Sequence, residues 1–476
     1  MHRAVIAKVT MITTIAKVTM TATIALLACA SAAAAAVRIS PSDGDSHSYP
    51  TVCRGAEGFV AAWETSGAVG REIRIQRLDE GGRPEGAMAT ANRETAGDQQ
   101  LPDIACRADG SFMVVWESRG QDGSGLGIFG RYFDPSGSAV GDEFQINTHT
   151  NDDQRGPRVC FRPGGEAIVV WASMDQDGDG SGIFGQLFAA DSTASGVEFQ
   201  VNASGAGSQI EPAVACGSDG GSLIVWAGPQ DGMPAIVARR LGGDGALDER
   251  EWPIRIGDTG TPHHPSVAFD PRGHYTIAFE TAQADLALAT LEVAADGGSN
   301  LGPSLRPALG LPRRNEAPAI AVDADANIAI AWSQGTGFDF DVAGLRSTSL
   351  FDGERLTTLS RNRAGNDGAL STLGRGVAIA TAPDGDLVVW QKRDVFADDS
   401  SSAIFAQRFR DCAGDCSGDA SVTVDELVRA VRIALGQEPL EVCRSVDGDG
   451  DGSVAVNELI RAVNEALASI CPAPLG

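Results

Sequence analysis

Residues 112–133 read FMVVWESRGQDGSGLGIFGRYF, and residues 167–188 read AIVVWASMDQDGDGSGIFGQLF. In both segments an apolar run that ends in Trp is followed by a turn rich in Gly and Asp, and then by a second run that ends in Phe. Short apolar runs separated by such turns are typical of β-hairpins. The repetition of a whole segment predicts an architecture built from copies of one supersecondary unit.

The apolar run that ends in a large aromatic residue recurs along the chain at intervals of about 53–58 residues. The runs are Phe59–Trp63, Phe112–Trp116, Ala167–Trp171, Ser222–Trp226, Tyr275–Phe279, Ile328–Trp332 and Leu387–Trp390. In the second and third units, further strand-like segments lie on either side of this run: Leu101–Cys106, Gly156–Phe161, Ile128–Phe133, Ile183–Phe188, Glu143–Asn147 and Glu198–Asn202. Four short strands in each of seven units predict a mainly β protein, a seven-bladed β-propeller. A β-solenoid is the alternative, but its repeats are usually shorter.

The two ends of the repeat region predict how the ring closes. The seventh unit ends after its third strand, Ala403–Phe409, and the first unit is preceded by an extra strand-like segment, Val37–Ser40. That segment resembles the fourth strands of units two and three. We therefore expect the N-terminal segment to supply the missing strand of the last blade, which leaves no exposed sheet edge.

The repeats resemble a repeat of bacterial secreted and surface proteins in four features: the Val-Val-Trp strand, the Asp-Gly-Ser-Gly turn, the Ile-Phe-Gly run and the Glu-Phe-Gln strand. The resemblance is close in units two and three and partial in units one, four and seven. It implies a seven-bladed propeller outside a bacterial cell. It implies no particular activity, because propellers host many unrelated functions.

Charge and the N-terminal segment indicate the compartment. The chain has 476 residues and a net charge of −26, a field that repels phosphate backbones and anionic lipid and so argues against a nucleic-acid partner. Residues 1–36 read as a secretory signal, in which the apolar run Thr23–Ala28 is too short to cross a membrane. Lipid anchoring at Cys29 is the alternative to simple cleavage. We expect a secreted or cell-surface protein that is not membrane-spanning, with a propeller at 37–410 and a calcium module at 411–476.

Eight cysteines follow Cys29 and form two groups. Cys53, Cys106, Cys160 and Cys216 occupy equivalent repeat positions, where we expect small buried hydrophobes instead of a metal or redox array. The second group crowds into the C-terminal region, as in the disulfide frameworks of exported modules. It consists of Cys412, Cys416, Cys443 and Cys471. Three pairings are open, and we favour Cys412–Cys471 with Cys416–Cys443.

The connections between strands predict a ligand face. In a four-stranded meander, the loops from strand four to the next strand one and from strand two to strand three open on the same side. The candidate ligand residues on this side are His149, Asp153, Arg155, His263, His264, Arg313, Arg314, Arg361 and Arg363. Asp175, Asp177 and Asp179 also lie there, with the spacing that wraps oxygen ligands around Ca²⁺. Ordinary loop polarity is the alternative explanation for all of these residues.

Residues 447–458 read DGDGDGSVAVNE and match a calcium-binding loop position by position. The ligands expected in this loop are Asp447, Asp449, Asp451, Ser453 and Glu458. A weaker copy lies 32 residues earlier, with the expected ligands Asp415, Ser417, Asp419, Ser421 and Glu426. Each loop leads into an amphipathic helix, predicted at Glu426–Leu435 and Glu458–Ile470.

Two loop–helix units without a helix before the first loop resemble a dockerin, over about residues 412–471. The resemblance implies an EF-hand-type module that binds Ca²⁺ and a cohesin-like protein as the candidate partner. Dockerins usually carry hydroxyl residues at loop positions ten and eleven. This chain has Val424-Asp425 and Val456-Asn457 there, which argues against a cohesin partner.

No nucleophile elbow, zinc-protease motif or phosphate-binding Gly-Lys motif is present in the sequence. The sequence therefore favours a secreted, non-enzymatic binding or adhesion protein whose ligand is a protein or a glycan. The alternative is an extracellular carbohydrate-active enzyme, because dockerins often accompany glycoside hydrolases. Two carboxylates over a deep pocket would favour the enzyme, and a shallow surface of mixed charge would favour the binding protein.

Overall fold

The computed structural model describes residues 36–468 except for short segments, which are residues 69, 256–259, 282, 284, 293–303, 307–313, 324–325, 337–338, 348–356, 363–375, 383–384, 394–401, 411–413, 415, 417–421 and 447–452. The described strands form seven antiparallel sheets of four strands. Six of these sheets consist of four consecutive strands each, and they are the blades of a β-propeller.

The blades follow one another along the chain, and within each blade the strands are paired in chain order. Blade 1 contains β2 (Ser46–Arg54), β3 (Phe59–Gly67), β4 (Gly70–Leu78) and β5 (Pro84–Thr90). Blade 2 contains β6 (Gln99–Cys106), β7 (Phe112–Arg119), β8 (Leu126–Phe133) and β9 (Ala139–Gln145). Blade 3 contains β10 (Gln154–Phe161), β11 (Ala167–Met174), β12 (Ser181–Phe188) and β13 (Ala194–Gln200).

The second half of the propeller has the same organisation. Blade 4 contains β14 (Ile210–Cys216), β15 (Ser222–Gln230), β16 (Met233–Leu241) and β17 (Trp252–Ile254). Blade 5 contains β18 (His263–Phe269), β19 (His274–Glu280), β20 (Leu286–Glu292) and β21 (Ser304–Arg306). Blade 6 contains β22 (Arg314–Val322), β23 (Ile328–Thr336), β24 (Asp339–Ser347) and β25 (Thr357–Asn362).

The seventh sheet is built from both ends of the β region. It contains β1 (Val37–Arg38), β26 (Val377–Ala382), β27 (Gly385–Arg393) and β28 (Ser402–Arg410), with β1 paired to β28. Val37 lies opposite Ala406, and the N–H of Ile39 donates to the carbonyl of Ile404 at 2.8 Å. The predicted pairing of the N-terminal segment with the last strand is therefore confirmed. β26 contacts β22 of blade 6 on one side and β2 of blade 1 on the other.

The second strands of the blades carry the core. In β7 every residue except Arg119 is buried, so both faces of the strand are covered by neighbouring sheets. Between blades 1 and 2, Trp116 and Phe112 pack with Val60 and Ala62. The apolar runs that end in a large aromatic residue are thus the segments enclosed between blades, where burial on both faces favours continuous apolar sequence.

The first strands share a β-bulge just before a proline. Leu101, Glu211 and His264 have positive φ values of 51°, 56° and 50°, and the strand register shifts at each of them. A non-glycine residue in this region is uncommon, and the bulge removes its N–H from the regular ladder. Leu101 donates this N–H to Glu64 of the preceding blade at 3.3 Å.

The cysteines of blades 1 to 4 are paired, and the expectation of unpaired small hydrophobes is wrong. Disulfides join Cys53 to Cys106 and Cys160 to Cys216. The first strands of neighbouring blades end side by side, so the Cα atoms lie 5.6 and 5.8 Å apart, within the range that a disulfide bridges. Such bonds are typical of an oxidising, extracellular environment.

The C-terminal region contains two helices, α1 (Val424–Ala434) and α2 (Val456–Ala468), with short 3₁₀ turns at Leu440–Val442 and Arg444–Val446. A disulfide joins Cys416 to Cys443, the pairing that we favoured, whereas Cys412 and Cys471 lie outside the described residues. Among the described helices, none is long and apolar enough to cross a membrane.

Candidate functional site

A cavity of about 380 Å³ lies where the first strands of the seven sheets meet. These strands contact one another in a closed cycle from β2 through β26, so the cavity is the central channel of the propeller. Each first strand contributes at least one Val or Ile to its wall, among them Val52, Ile104, Val159, Val214, Val267, Ile320 and Ile379. A volume of this size falls within the usual range of small-molecule sites, about 300–1,000 Å³.

A polar network crosses the channel wall from blade 1 to blade 3. Asp103 accepts a hydrogen bond from the Thr51 hydroxyl at 3.1 Å and from the Val159 N–H at 2.9 Å. The guanidinium of Arg158 lies 3.6 Å from the same carboxylate. Thr51, Asp103 and Arg158 all line the cavity, so hydroxyl, carboxylate and guanidinium groups are available to a polar ligand there.

Two carboxylates flank one histidine at the junction of blades 4 and 5. His264 places Nδ1 2.9 Å from Glu280 Oε2 and Nε2 3.6 Å from Glu211 Oε1. Glu211 also accepts the backbone N–H of His264 at 2.7 Å, and His263 Nδ1 lies 3.6 Å from Glu211 Oε2. Glu211 and His264 line the cavity, whereas Glu280 is buried behind them. The imidazole can therefore exchange a proton with either carboxylate or with a ligand oxygen.

The charge of this cluster is set by its mutual contacts. Burial alone would raise the pKa of Glu211, but pairing with His263 and the nearby charge and N–H of His264 hold that pKa below its ordinary value. The same pairing with Glu211 raises the pKa of His263. Glu211 is thus an ionised carboxylate at neutral pH, able to act as a base or a nucleophile.

Glutamates of the second strands link neighbouring blades. Glu64 accepts the N–H of Leu101, and Glu117 accepts the N–H of Gly156 at 2.6 Å. Burial raises the pKa of Glu64 to about 7, against the opposing effect of Arg71. Glu117 lines the cavity and also accepts a hydrogen bond from Gln100 at 2.8 Å.

The predicted ligand face is brought together in part. Asp153, Arg155 and His264 line the cavity, and His263 adjoins it through Glu211. His149 is half-buried and does not belong to the described cavity wall.

The predicted ligand face also needs correction in its secondary structure. Arg155, His263 and His264 lie in first strands and not in loops, because those strands extend past the bulge and pair with the second strand. Arg314 begins β22 and Arg361 lies in β25, while Arg313 and Arg363 fall outside the described residues.

The acidic loop of blade 3 links two neighbouring loops. Asp177 accepts a hydrogen bond from the Asn202 side chain at 2.9 Å, and Asp179 accepts the N–H of Gly207 at 3.0 Å. Asp122 of blade 2 makes the matching contact with Asn147. Among the described residues, no group of three or more His, Cys, Asp or Glu side chains is arranged to hold a metal ion, and this includes Asp175 with its two neighbouring aspartates.

The predicted calcium loops lie largely outside the described residues, which omit Asp415, Ser417, Asp419, Ser421, Asp447, Asp449 and Asp451. The closing glutamates are described. Glu426 is buried, and its carboxylate accepts the N–H of Cys416 at 2.9 Å and the N–H of Thr423 at 2.8 Å. Glu458 is also buried and accepts the N–H of Ala455 at 2.7 Å. The carboxylate at position twelve of the first loop thus lies next to position two of that loop.

Sequence reasoning missed Glu211, Glu280, Glu117 and Asp103. A signal was present, because an aromatic residue followed by Glu ends the second-strand run in units one, two and five. A glutamate directly after a fully buried aromatic residue has to be paired, since an isolated buried charge is costly. The group that pairs with this glutamate, however, lies in the next blade, and the sequence of the repeat does not identify it.

No family model matches the chain, and no curated protein matches it. Among solved structures, the chain is similar to a protein of unknown function from Dyadobacter fermentans, with 11% identity, a TM-score of 0.48 and coverage of 78% of this chain and 98% of the other. It is similar to the α-L-arabinofuranosidase of Fusarium graminearum, with 14% identity, a TM-score of 0.45 and coverage of 66% and 97%. It is also similar to the α-L-arabinanase of Penicillium chrysogenum, with 13% identity, a TM-score of 0.42 and coverage of 78% and 97%. At these identities and scores the likeness does not extend to an activity.

Proposed function

We propose that this chain is an extracellular carbohydrate-active protein that binds a saccharide in the central channel and acts on its glycosidic bond. The observation that carries the proposal is the ionised Glu211 beside His264 in the wall of a cavity of about 380 Å³. Saccharide hydroxyl groups hydrogen-bond to carboxylates and guanidinium groups, and the apolar faces of sugar rings match a wall of Val and Ile. In this proposal the seventh sheet acts as a seventh blade and closes the channel.

The carbohydrate-active alternative is better supported than the non-enzymatic adhesion protein that the sequence favoured. Several carboxylates in the wall of a cavity of about 380 Å³ support the enzyme over the binding protein. Glu211 would act as a base that takes a proton from a water molecule. The water oxygen bonds to the sugar carbon as the glycosidic C–O bond breaks, and His264 would deliver a proton to the departing oxygen. Glu280 would position the His264 ring through the hydrogen bond to its Nδ1.

The test combines binding and turnover on a panel of neutral and uronate-containing polysaccharides, with arabinan included. Glu211→Gln keeps the size of the side chain but removes the base, so turnover should fall about 100-fold or more while the fold is retained. Glu57→Gln changes an exposed residue in the loop between β2 and β3 and should leave turnover unchanged. Saccharide binding without any turnover would favour the adhesion protein, and equal turnover in Glu211→Gln would exclude Glu211 from the chemistry.

We also propose that the C-terminal module binds Ca²⁺ through the loops at 415–426 and 447–458. The buried carboxylate of Glu426, directed back to the start of its own loop, is the position at which a closing ligand would be needed. The exposed apolar residues of α1 and α2 are the surface through which the module would contact a protein partner, cohesin-like or otherwise. They are Val424, Val428, Val431, Val456, Ile460 and Val463.

A further inference from the structure

The glutamates that link neighbouring blades are found in blades 1, 2 and 5 only, and at two of the other junctions an alanine stands in their place. Glu64, Glu117 and Glu280 occupy one register position, opposite the residue that precedes the bulge of the first strand. Ala172 and Ala227 occupy this position in blades 3 and 4. Alanine offers no side-chain acceptor, so the N–H of the next bulge residue has to be satisfied in another way.

The two alanine junctions differ in what replaces the glutamate. Between blades 4 and 5, Glu211 takes its place, because its carboxylate accepts the N–H of His264 at 2.7 Å. Ala227 is fully buried there. Between blades 3 and 4, the space that a glutamate side chain would fill is part of the cavity. Ala172, Met174 and Ser181 line the cavity there.

Among the described residues, blade 3 is the blade in which the cavity extends furthest beyond the first strand. Apart from Glu117, the second-strand and third-strand residues in the described cavity wall are those three residues of blade 3. The pocket extends where the glutamate side chain would otherwise lie.

We propose that this gap is a subsite for a neutral, partly apolar group of the saccharide, with Ala172 as its specificity-determining residue. The inference rests on the proposed function, because the subsite belongs to the same cavity. Ala172 and Met174 supply an apolar surface, and the Ser181 hydroxyl supplies one polar contact. A methyl, acetyl or deoxy substituent, or the C–H face of a neutral ring, matches this lining.

Charge at the edge of the subsite disfavours an anionic group. Asp153 and Glu211 both line the cavity beside it. The guanidinium of Arg155 is already paired with Asp153 at 2.5 Å. A uronate in the subsite would therefore approach two carboxylates without an unpaired cation, and we expect neutral saccharides to bind at least tenfold more tightly than their uronate counterparts.

The decisive variant is Ala172→Glu, which introduces the residue found at this position in blades 1, 2 and 5. The introduced carboxylate lies beside Asp153 and Glu211, so we expect Ala172→Glu to fold with a somewhat lowered melting temperature and the uncharged Ala172→Gln to keep that of the wild type. The same side chain fills the subsite, and affinity for the neutral saccharide should fall at least tenfold. Ala172→Gln fills the same volume without charge and should show the same loss. Val197→Glu adds the charge at an exposed position of blade 3 and should bind like the wild type.

A measurement without a ligand keeps the inference testable if the proposed function fails. The variant Ser181→Cys is made alone and together with Ala172→Glu, and its thiol is labelled with uncharged methyl methanethiosulfonate. Labelling should be at least fivefold slower in the variant that also carries Ala172→Glu. Equal labelling rates, or full saccharide affinity in folded Ala172→Glu, would overturn the subsite. Normal affinity in Ala172→Gln with loss in Ala172→Glu would also overturn it, because charge alone would then act. A wild type that binds no saccharide but shows the labelling difference would refute only the proposed function.

Discussion

Two glutamates at blade junctions of the same propeller have pKa values that move in opposite directions. Burial is the largest influence on Glu64 and, with the nearby negative charges of Glu117 and Asp98, raises its pKa to about 7 against the opposing effects of Arg71, 3.5 Å away, and of the Leu101 N–H. Glu211 is half-buried in the cavity wall, and two histidines stabilise its charge and lower its pKa. The groups around an inter-blade carboxylate thus decide whether it is a structural hydrogen-bond acceptor or an ionised, reactive group.

Glu64 should make the stability of the propeller depend on pH. Its folded-state pKa of about 7 exceeds the ordinary value of 4.5, so the unfolded chain loses this proton first as pH rises. Stability should therefore fall between about pH 4.5 and pH 7, by up to about 3 kcal/mol. Glu64→Gln is neutral at every pH and should match the wild type at pH 5 but exceed its free energy of unfolding at pH 8. Urea unfolding at both pH values tests this, and the same difference at pH 5 and pH 8 would contradict it.

The two calcium loops should differ in affinity. The loop at 447–458 has four carboxylates at the expected ligand positions, and the loop at 415–426 has three at those positions, with Ser417 as a neutral ligand. Gly452 allows the sharp turn at position six, whereas Ala420 has to adopt it at a cost of about 1 kcal/mol. We expect Asp447→Ala to abolish the tighter phase of Ca²⁺ binding and Asp415→Ala to abolish the weaker one, as measured by calorimetry on the full chain. The reverse order would show that ligand count does not set the affinity.

At the scale of elements, ring closure depends on a very short strand. β1 contains two residues, yet it covers the edge of β28, and Ile39 beyond it is buried and bonded to Ile404. An uncovered β28 would present free N–H and C=O groups to other chains. The N-terminal segment thus protects the sheet that is assembled from both ends of the propeller.

Removal of β1 should weaken the propeller and promote association. A chain that begins at residue 41 should unfold less cooperatively and aggregate more readily than a chain that begins at residue 36. The comparison uses thermal unfolding and light scattering, and the chain that begins at residue 36 is the control for loss of residues 1–35. Equal melting temperatures and equal solubility would show that β1 does not close the sheet.

At the scale of the whole molecule, the blades are joined by two kinds of links. Glutamates accept backbone N–H groups across junctions, as Glu117 does with Gly156. Disulfides join blade 1 to blade 2 and blade 3 to blade 4, across sequence separations of 53 and 56 residues. Both kinds hold neighbouring first strands at the channel wall, where the cavity needs a fixed shape.

Loss of an inter-blade disulfide should lower global stability. Cross-links that close loops of this length contribute about 2–4 kcal/mol, chiefly by restricting the unfolded chain. The double variant Cys53→Ser with Cys106→Ser should therefore unfold at a lower urea concentration, with cavity binding retained. Reduction of the remaining disulfides should lower the midpoint further. An unchanged midpoint in the double variant would mean that the ring alone holds blades 1 and 2 together.

Most of the architecture could be predicted from the repeats. Strands within a blade pair with their sequence neighbours, so the positions of strands and turns are encoded locally by apolar runs and by Gly and Asp. The helices were also predicted within about two residues, because a period of 3.6 is visible in any amphipathic segment. The pairing of the N-terminal segment with the last strand followed from the count of strands in the incomplete repeat.

The candidate site could not be predicted from the repeats, because its residues come from neighbouring blades. His264 contacts Glu211 and Glu280, which lie 53 and 16 residues away, and Cys53 reaches Cys106 only because neighbouring first strands end side by side. The repeat by itself determined the strands, their pairing within each blade and the closure of the last sheet. Only the tertiary structure decided which carboxylates are buried, which cysteines are bonded and where the missing glutamate at Ala172 opens the channel. The physical reason is that burial and charge depend on the surface of the adjacent blade, and no segment of the chain contains both surfaces.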